Sequence, residues 1–387
     1  MAEVTLTGVE KAYGTTLAVR GVNLTVRDGE FVTLLGPSGC GKTTTLHMVA
    51  GLLAPTRGTI AIGGRVVADV ARGVFIPPHR RNLGMVFQSY ALWPHMTLDR
   101  NVRYPLTLRR VRGGEASRRV ASALALVGLE TFADRYPHEL SGGQQQRGAL
   151  ARALVAEPDI LLLDEPLSNL DAQLREELRG EIRRVQREIG TTVLFVTHDQ
   201  TEAMAVSDRL AVMRAGGIEQ IDTPHAVYER PATAFVAAFI GAVTLLDAAT
   251  DGTTARAVAI PTLTLPLSPP TPSVPPAPRF RVAVRPEDFA LLSPDGAAVT
   301  GVVETRMYLG DHVAYTVRVG PLAVRVIAPK TATAMPGEPV GIAVRHAVAL
   351  AAEDGSIAPA NASGGIRAGN LTPQPPLHLM ERGSKPQ

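Results

Sequence analysis

Several features that would narrow the function are scarce in this chain. Cys40 is the one cysteine in 387 residues, which excludes an internal disulfide and agrees with a reducing compartment. Lys and Arg number 39 against 36 Asp and Glu, for a net charge of +3. This near balance of charge gives no argument for nucleic-acid binding, so no nucleic-acid partner is expected.

Long uncharged apolar runs, which would indicate a membrane span, are also missing. Residues 231–246 are uncharged, but the run is short and contains Gly241, and residues 257–278 are broken by eight prolines. The N-terminus lacks the basic and then apolar pattern of a signal peptide. We therefore expect a soluble protein that meets any membrane through a partner.

What the chain does contain is the pattern G-x-x-x-x-G-K-[ST], placed between an apolar run at 31–35 and a periodic apolar segment at 46–52. Strand, loop and helix in this order place backbone N–H groups around a polyphosphate at a helix N-terminus. Lys42 would add a point charge and Thr43 a magnesium ligand. The residues predicted to line this nucleotide site are Gly36, Pro37, Ser38, Gly39, Cys40, Gly41, Lys42, Thr43 and Thr44.

Two carboxylates follow a second apolar run. Residues 160–163 are continuously apolar, as in a strand buried on both faces, and Asp164 and Glu165 come next. In doubly wound sheets, ligands bind at the carboxyl ends of the strands. The pair therefore suits two tasks, one carboxylate holding magnesium and the other polarising the attacking water.

Two further residues are candidates for nucleotide contact. His198 ends the apolar run at 192–196; a polar residue at a strand end is one interpretation, and the nearby carboxylates favour phosphate contact. Tyr13 lies between alternating segments at 4–9 and 22–26, which predict antiparallel strands. It could cap that sheet or stack on a ligand, and the residues alone leave both open.

A helical region separates the two groups of motifs. After a strand at 83–87 ending at Gln88, residues 89–135 show helical periodicity, and Ser141 is placed as the N-cap of another helix. By itself the run Ser141, Gly142, Gly143 and Gln144 is a common helix start. Further on, apolar residues at 174–189 form one helical stripe, and the charged residues between them predict a solvated face.

In this order the motifs resemble the ATP-binding subunit of ABC transporters, over roughly residues 3–240. The resemblance implies an ATPase in which Lys42 and the loop amides grip the phosphates of ATP. It implies that Thr43, Asp164 and Gln88 hold Mg²⁺, that Glu165 is the general base, and that His198 holds the γ-phosphate. By the same resemblance Tyr13 stacks on adenine.

The resemblance also implies partners. Two subunits close head to tail, so that Ser141, Gly142, Gly143 and Gln144 meet the ATP of a second copy, with Asp171 at the same interface; we expect a homodimer. Residues 89–95 would grip an integral-membrane permease subunit, and a solute-binding protein would take part indirectly. Core packing and permease contact are equally good interpretations of Tyr90 and Leu92. The expected location is cytoplasmic, on the inner face of the membrane.

The last third predicts a second domain. Short alternating segments at 281–285, 299–303, 312–319, 322–327 and 340–344 predict a small β-barrel. It resembles the oligonucleotide-fold-like regulatory extension of ABC import ATPases. The predicted fold is thus an α/β phosphate-loop domain with a mixed sheet, an antiparallel β subdomain and a helical insertion, followed by an all-β barrel. The predicted boundaries are 1–240 with the insertion at 89–150, 243–350 with a Pro-rich insertion at 261–278, and a disordered tail at 351–387.

The cargo is the weakest point of the resemblance. Residues 77–82 and 93–97 look more like importers of ferric iron, polyamines or thiamine than like sugar importers, which stay the alternative. A rival class is an ABC ATPase of translation or DNA repair, but such proteins resemble tandem ATPases or carry long coiled coils, and this chain has one phosphate loop. A second rival is a mainly regulatory subunit in which the barrel senses a ligand.

Overall fold

The fold comes from a computed structural model, which describes residues 2–250, 254–267 and 279–350. All of these residues belong to one compact unit, Met1–Ala352. The predicted tail and residues 268–278 of the Pro-rich insertion lie outside the described residues.

The described residues form α-helices and β-strands with the following bounds. The α-helices are α1 (Lys42–Ala50), α2 (Leu98–Leu108), α3 (Gly113–Leu126), α4 (Gly142–Leu154), α5 (Ala172–Ile189), α6 (Gln200–Val206), α7 (Pro224–Glu229) and α8 (Ala234–Phe239). The strands up to α8 are β1 (Val4–Tyr13), β2 (Thr16–Val26), β3 (Phe31–Leu35), β4 (Arg57–Ile62), β5 (Arg65–Asp69), β6 (Val74–Phe75), β7 (Leu83–Val86), β8 (Ile160–Asp164), β9 (Thr192–Thr197), β10 (Arg209–Arg214) and β11 (Gly217–Asp222). The later strands are β12 (Thr244–Thr250), β13 (Ala255–Ala257), β14 (Thr264–Leu265), β15 (Arg279–Val284), β16 (Phe289–Leu292), β17 (Thr300–Tyr308), β18 (His312–Val319), β19 (Leu322–Pro329), β20 (Pro339–Val344) and β21 (Val348–Ala349).

The central sheet has the order β11-β10-β3-β9-β8-β7, and all of its neighbours except β10 and β11 are parallel. Every residue of β3, β8 and β9 is buried, because helices cover one face and a second sheet covers the other. The five parallel strands β10, β3, β9, β8 and β7 therefore end at one edge. The loops that carry the predicted motifs follow β3, β9, β8 and β7 and leave from that edge.

The predicted antiparallel subdomain is the sheet β2-β1-β4-β5-β6. Its β4–β5 hairpin turns at Gly63 and Gly64, whose φ angles are 56° and 74°. Two positive φ angles in succession are the requirement of a type I′ turn, which explains why both positions are glycine. This sheet packs against the same core as α1, the helix that follows the phosphate loop.

The helical insertion joins the core through α4, which packs on α2 and β7. On α5 the predicted apolar stripe holds for Leu178, Ile182 and Val185, which are buried, but it is wrong at Ile189, which is 38% exposed. Gln186 is buried instead, and its Nε2 donates to Gly29 O at 2.9 Å and Thr191 O at 3.0 Å. The last turn of α5 extends past the edge of the core, so a polar side chain that satisfies two carbonyls takes the buried place.

The all-β character predicted for the last third is confirmed. Its strands form two sheets, β14-β13-β12-β15-β21 and β16-β20-β17-β18-β19. The two sheets share one apolar core that contains the fully buried Phe289 and Tyr315. A shared core requires inward-facing apolar residues on alternate positions, which is the periodicity seen in the sequence.

Candidate functional site

The loop between β3 and α1 is a cradle that admits only glycine at its ends. A Cβ on Gly36 would lie 2.4 Å from Met213 O, and one on Gly41 would lie 2.6 Å from Ala18 O. Gly41 also has a φ of 101°, which favours glycine. Gly41 is the N-cap of α1 and supplies no side-chain hydrogen bond, so the first N–H groups of the helix are left to receive an anion.

Lys42 places its ammonium group inside this cradle. The side chain is buried, and Nζ donates to Gly36 O at 2.7 Å and to Pro37 O at 3.1 Å. The thiol of Cys40 is also buried, and burial raises its pKa. Pro37, Ser38 and Gly39 form the exposed rim of the loop. The positive charge therefore lies at the centre of a ring of loop atoms, where a polyphosphate would be held.

Asp164 is held on both of its carboxylate oxygens. The hydroxyl of Thr43 donates to Oδ1 at 3.2 Å, and Nε2 of His47 lies 3.1 Å from Oδ2. Thr43 and His47 lie one turn apart on α1, so two side chains on the same face of the helix contact Asp164 at the end of β8. The arrangement presents a hydroxyl and a carboxylate oxygen next to the phosphate cradle.

Glu165 and His198 form a second polar pair at the same edge. Glu165 Oε2 lies 2.9 Å from His198 Nδ1 and accepts from the Ser168 hydroxyl at 3.1 Å. The backbone of Glu165 has a φ of 44°, which is uncommon for a residue with a side chain and is found at sites where the structure holds it. Its N–H donates to Val196 O at 3.0 Å, and this bond fixes the strained residue beside β9.

Tyr13 ends β1 in the hairpin that touches the phosphate loop. Its side chain is 53% exposed, and Lys11 Nζ lies 5.2 Å from the ring centroid. The following strand contains Ala18, whose carbonyl defines the space beside Gly41. The exposed ring does not fill the core of the antiparallel sheet, so it is free to meet a ligand.

The helix start at Ser141 has the predicted cap. Ser141 Oγ accepts from Gln144 N at 3.3 Å, and Gln144 Oε1 accepts from Ser141 N at 2.9 Å, which makes a capping box. A Cβ on Gly143 would lie 2.9 Å from Leu174, so glycine allows α4 to approach α5. Within the described residues, no hydrogen bond joins residues 141–144 to the phosphate loop.

Comparisons with known proteins agree with this geometry. A family model described as "ABC transporter" matches residues 19–168, and one described as "TOBE domain" matches residues 282–351. A third model, described as "AAA domain, putative AbiEii toxin, Type IV TA system", matches residues 133–205.

Three curated relatives show how far the likeness extends. The "Fe(3+) ions import ATP-binding protein FbpC 1" of Rhizobium meliloti is 46% identical over 86% of this chain and 95% of its own length. The "Spermidine/putrescine import ATP-binding protein PotA" of Frankia alni is 48% identical over 82% and 71%. The "Trehalose/maltose import ATP-binding protein MalK" of Thermococcus litoralis is 54% identical over 64% and 67%.

The chain belongs to the ATP-binding subunits of ABC importers. It carries the TOBE domain at its C-terminal end, and it is an ATPase that hydrolyses ATP to drive import. A solved structure described as a dimeric, post-hydrolysis state of the ATP-binding cassette MJ0796, bound to ADP and Pi, is 36% identical and has a TM-score of 0.50. It covers 57% of this chain and 98% of its own.

The structure brings together five of the residues predicted to form the site of this ABC ATPase. Lys42, Thr43, Asp164, Glu165 and His198 meet at one edge of the central sheet, and His198 pairs with Glu165. Thr44 is half-buried in the first turn of α1.

Two other predicted residues lie at the margin of that group. Gln88 follows β7 with an exposed side chain, and its carbonyl accepts from Asn169 Nδ2 at 2.9 Å. Asp171 is exposed and caps α5, accepting from Leu174 N at 3.0 Å. Within this chain Asp171 therefore has a structural task besides the interface role that the resemblance implies.

Two residues of the ATPase site were missed from the sequence. His47 contacts Asp164, and Ser168 contacts Glu165. The signal for His47 was its position four residues after Thr43 on a helix, which places both side chains on one face. The signal for Ser168 was weaker, because it depends on how the chain turns after Pro166.

The segment after Gln88 is divided between core and surface. Tyr90 is 8% exposed and Leu92 packs against the same core, so core packing describes Tyr90 in this chain. Trp93 is half-buried against Tyr104, with ring centroids 4.4 Å apart, and beneath Arg152 at 4.9 Å. None of the helices in the described part of the chain combines the length and the apolar character that crossing a bilayer requires.

Proposed function

We propose that the edge of the central sheet formed by β3, β8 and β9 is the hydrolytic half-site of the importer. The observation that carries this proposal is the meeting of the phosphate cradle, Asp164, and the Glu165–His198 pair at that edge. Glu165 accepts a proton from the attacking water as ADP departs from the γ-phosphate. His198 Nδ1 already faces Glu165, so Nε2 is the ring atom that meets the γ-phosphate.

The donors at Asp164 fit a magnesium ion. Thr43 Oγ1 and Asp164 Oδ1 are oxygen atoms 3.2 Å apart, and Mg²⁺ in nucleotide sites takes one or two protein oxygens together with phosphate oxygens and water. We propose that these two residues hold it, with Gln88 arranging its waters. When bound, the ion would neutralise phosphate charge. His47 would keep the carboxylate turned toward it.

The second half of each ATP site comes from another copy of the chain. Ser141 to Gln144 begin α4 at an exposed N-terminus. In the part of the chain that the structure describes, they make no hydrogen bond to the phosphate loop. A helix N-terminus is an anion site, so these residues complete the pocket of a partner in a homodimer. Asp171 lies on the same interface. Tyr13 stacks on the adenine.

We propose the boundaries 1–240 for the ATPase domain and 243–350 for the β-barrel domain, whose role is regulation. The permease grips the segment around Trp93, the solute-binding protein acts through the permease, and the protein works on the cytoplasmic face of the membrane. Support for this arrangement comes from the relatives, which are named as import ATP-binding proteins.

The cargo we propose is a cationic solute such as ferric iron, a polyamine or thiamine. The relatives whose match covers 82–86% of this chain, and so includes the C-terminal domain, are named for Fe³⁺ and for spermidine and putrescine. The relatives named for trehalose and maltose or for sn-glycerol-3-phosphate match over 62–64% of this chain, and a sugar is the alternative. Uptake of labelled iron, putrescine and trehalose by cells lacking this gene separates the two: loss of trehalose uptake alone would refute the proposal.

The test of the hydrolytic site is Glu165→Gln. Loss of the base should slow ATP hydrolysis by about 100-fold or more, while ATP binding persists and a dimer accumulates. The measurement is phosphate release together with sedimentation in the presence of ATP. Glu176→Gln is the matched control, because Glu176 is 78% exposed on α5. Unchanged turnover in Glu165→Gln would show that another residue is the base.

A further inference from the structure

Residues 237–242, between the two domains, are held from the ATPase side by one side chain. Gln200, the first residue of α6, donates through Nε2 to Phe239 O and accepts through Oε1 from Gly241 N at 2.9 Å. A single amide group thus fixes a carbonyl and an N–H of the chain that leaves α8. Such a pair of bonds sets both the position and the direction of that segment.

The same residues are held from the β-domain side by Arg285. Its guanidinium is buried and donates to Ala237 O at 2.9 Å, Ala242 O at 3.1 Å and Tyr228 O at 3.1 Å. It also lies 4.1 Å from the centroid of the Tyr228 ring. The hydroxyl of Tyr228 donates to Glu287 at 2.5 Å. Arg285 directly follows β15, so it ties the first sheet of the β domain to α7, α8 and the segment after α8.

The segment at residues 237–242 is closely packed around Gly241. Gly241 has a φ of 83°, and a Cβ there would lie 3.2 Å from the Tyr228 ring and 3.7 Å from Arg285 Nη1. A glycine in this conformation permits the close approach of the ring and the guanidinium. Displacing Arg285 therefore displaces residues 237–242, and these residues are bonded to Gln200.

Gln200 is close in sequence to the polar pair of the active site. Asp199 separates it from His198 and caps α6 by accepting from Glu202 N at 3.0 Å. The Thr197 hydroxyl accepts from Asp199 N at 3.0 Å and donates to Glu202 at 2.6 Å. These bonds hold residues 197–202 together as one turn, so a displacement of Gln200 also displaces His198.

We propose that Gln200 is a positioning residue. It couples the placement of the β domain to the position of His198, and the coupling runs through Arg285 and residues 239–241. The catalytic consequence rests on the role proposed for His198; the mechanical coupling does not. The simpler interpretation is that Gln200 and Arg285 only stabilise their own neighbourhoods, and it predicts local effects. A coupled pair acts at a distance and acts non-additively.

Hydrogen exchange of the full-length protein distinguishes these interpretations without measuring activity. Arg285→Lys keeps the charge but replaces the planar fork of Nη1 and Nη2 with a single ammonium nitrogen, which cannot reproduce the spread of donors toward the three carbonyls. In this variant we expect the amides of Glu202 and Ala203, in the first turn of α6, to exchange about fivefold faster or more. Faster exchange confined to residues 228–242 and 285 would overturn the proposal.

Gln220 provides the matched control. It braces the chain before α8 with the same pair of bonds, donating to Arg230 O at 3.1 Å and accepting from Ala232 N at 2.7 Å. Its backbone lies on β11 and does not lead to His198. Gln220→Ala should loosen residues 230–232 and leave Glu202 and Ala203 unchanged, whereas Gln200→Ala should affect both α6 and residues 239–241.

ATP hydrolysis supplies the second measurement. We expect Gln200→Ala and Arg285→Lys each to lower kcat about fivefold with unchanged ATP affinity, and the double variant to lose no more than the worse single variant. Gln200→Glu keeps the bond to Gly241 N and should recover part of the rate. Losses in kcat that multiply would refute the shared path. If His198→Ala hydrolyses ATP normally, the role proposed for His198 fails, and the exchange experiment still tests the coupling.

Discussion

At the scale of single residues, the site depends on carboxylates that are held before any ligand is bound. Both oxygens of Asp164 have partners on α1, and Glu165 has partners in His198 and Ser168. Because orienting these groups costs conformational entropy, doing so during folding removes that cost from each catalytic cycle. Side chains that touch no substrate can therefore matter for the reaction.

His47 is the residue of this kind nearest to the proposed magnesium site. Replacing it with Leu removes the contact at Asp164 Oδ2. The Mg²⁺ concentration at which nucleotide binding is half-maximal should then rise about tenfold, because residues that orient metal ligands affect metal affinity by this amount or more. The measurement is a Mg²⁺ titration of nucleotide binding by fluorescence. His47→Gln, which can still donate to the carboxylate, should restore most of the affinity. Equal Mg²⁺ requirements for all three proteins would refute the role.

Glu202 gives a pH dependence of stability. Burial raises the pKa of this carboxyl above its ordinary value of 4.5, against the hydrogen bond from Thr197 and the charge of Arg175. Between the two pKa values the native state binds more protons than the unfolded state, so stability contributed by Glu202 is present at low pH and is lost as pH rises through the native pKa.

Glu202→Gln should remove that dependence. It keeps an amide oxygen and nitrogen near Thr197 but has no charge, so its melting temperature relative to wild type should rise as pH increases from about 4.5 to about 7.5. Thermal melts across this range are the measurement. A constant difference between the two proteins would show that Glu202 does not titrate as inferred.

At the scale of elements, helix contacts place the proposed half-sites. Helix α4 begins just after its N-cap Ser141 and is fixed by α2 on one side and α5 on the other. Glycines on α4 allow both approaches, since a Cβ on Gly148 would meet Leu98 at 2.6 Å and one on Gly143 would meet Leu174 at 2.9 Å. The direction of the exposed helix start is therefore set by small residues inside the helix.

Two glycine substitutions separate helix packing from helix propensity. Gly148→Ala should destabilise the protein by about 1–3 kcal/mol, because the added methyl group overpacks the contact with Leu98. Gly180→Ala is the control: Gly180 is exposed in the middle of α5 with nothing within 4 Å of a Cβ. It should stabilise the protein by about 0.5–1 kcal/mol. Denaturant unfolding measures both, and similar signs would contradict the contact.

At the scale of the whole molecule, the proposed ATP site takes its two halves from two chains. The phosphate loop and the start of α4 both have the features of anion sites, and within the described residues no hydrogen bond connects them. In a head-to-tail pair related by twofold symmetry, each copy supplies the element that the other lacks. Complementation between two defective copies tests this arrangement.

We expect a mixture of Lys42→Ala and Ser141→Arg chains to recover ATP occlusion that neither has alone. In a mixed dimer one site combines the intact Lys42 of one chain with the intact Ser141 of the other, giving about one good site in four after random pairing. Trapped nucleotide after filtration is the measurement, with each variant by itself as control. No recovery in mixed dimers of demonstrated composition would place the complete site in one chain.

The short-range motifs were predictable because they rest on local chemistry. Strands buried on both faces are recognisable in the sequence as apolar runs. Five predicted site residues lie at the ends of such strands or in the segments that follow them: Lys42, Thr43, Asp164, Glu165 and His198. The cap at Ser141 was also predictable from the sequence, since a helix cap depends on a few consecutive residues. The family resemblance follows from the order of the motifs and is confirmed by the relatives.

Contacts between distant residues were decided only by the tertiary structure. The sequence offered no reason to join Gln200 to Gly241 or Arg285 to Ala237, because such partners are chosen by how α6, α8 and β15 pack. The prediction that the apolar stripe of α5 continues to Ile189 was wrong for a related reason, because periodicity predicts a helical face but not where the core ends. Local sequence patterns determined the helices, the strands and the chemical groups at the site of this ABC ATPase. Tertiary packing determined which side chains hold those groups in place.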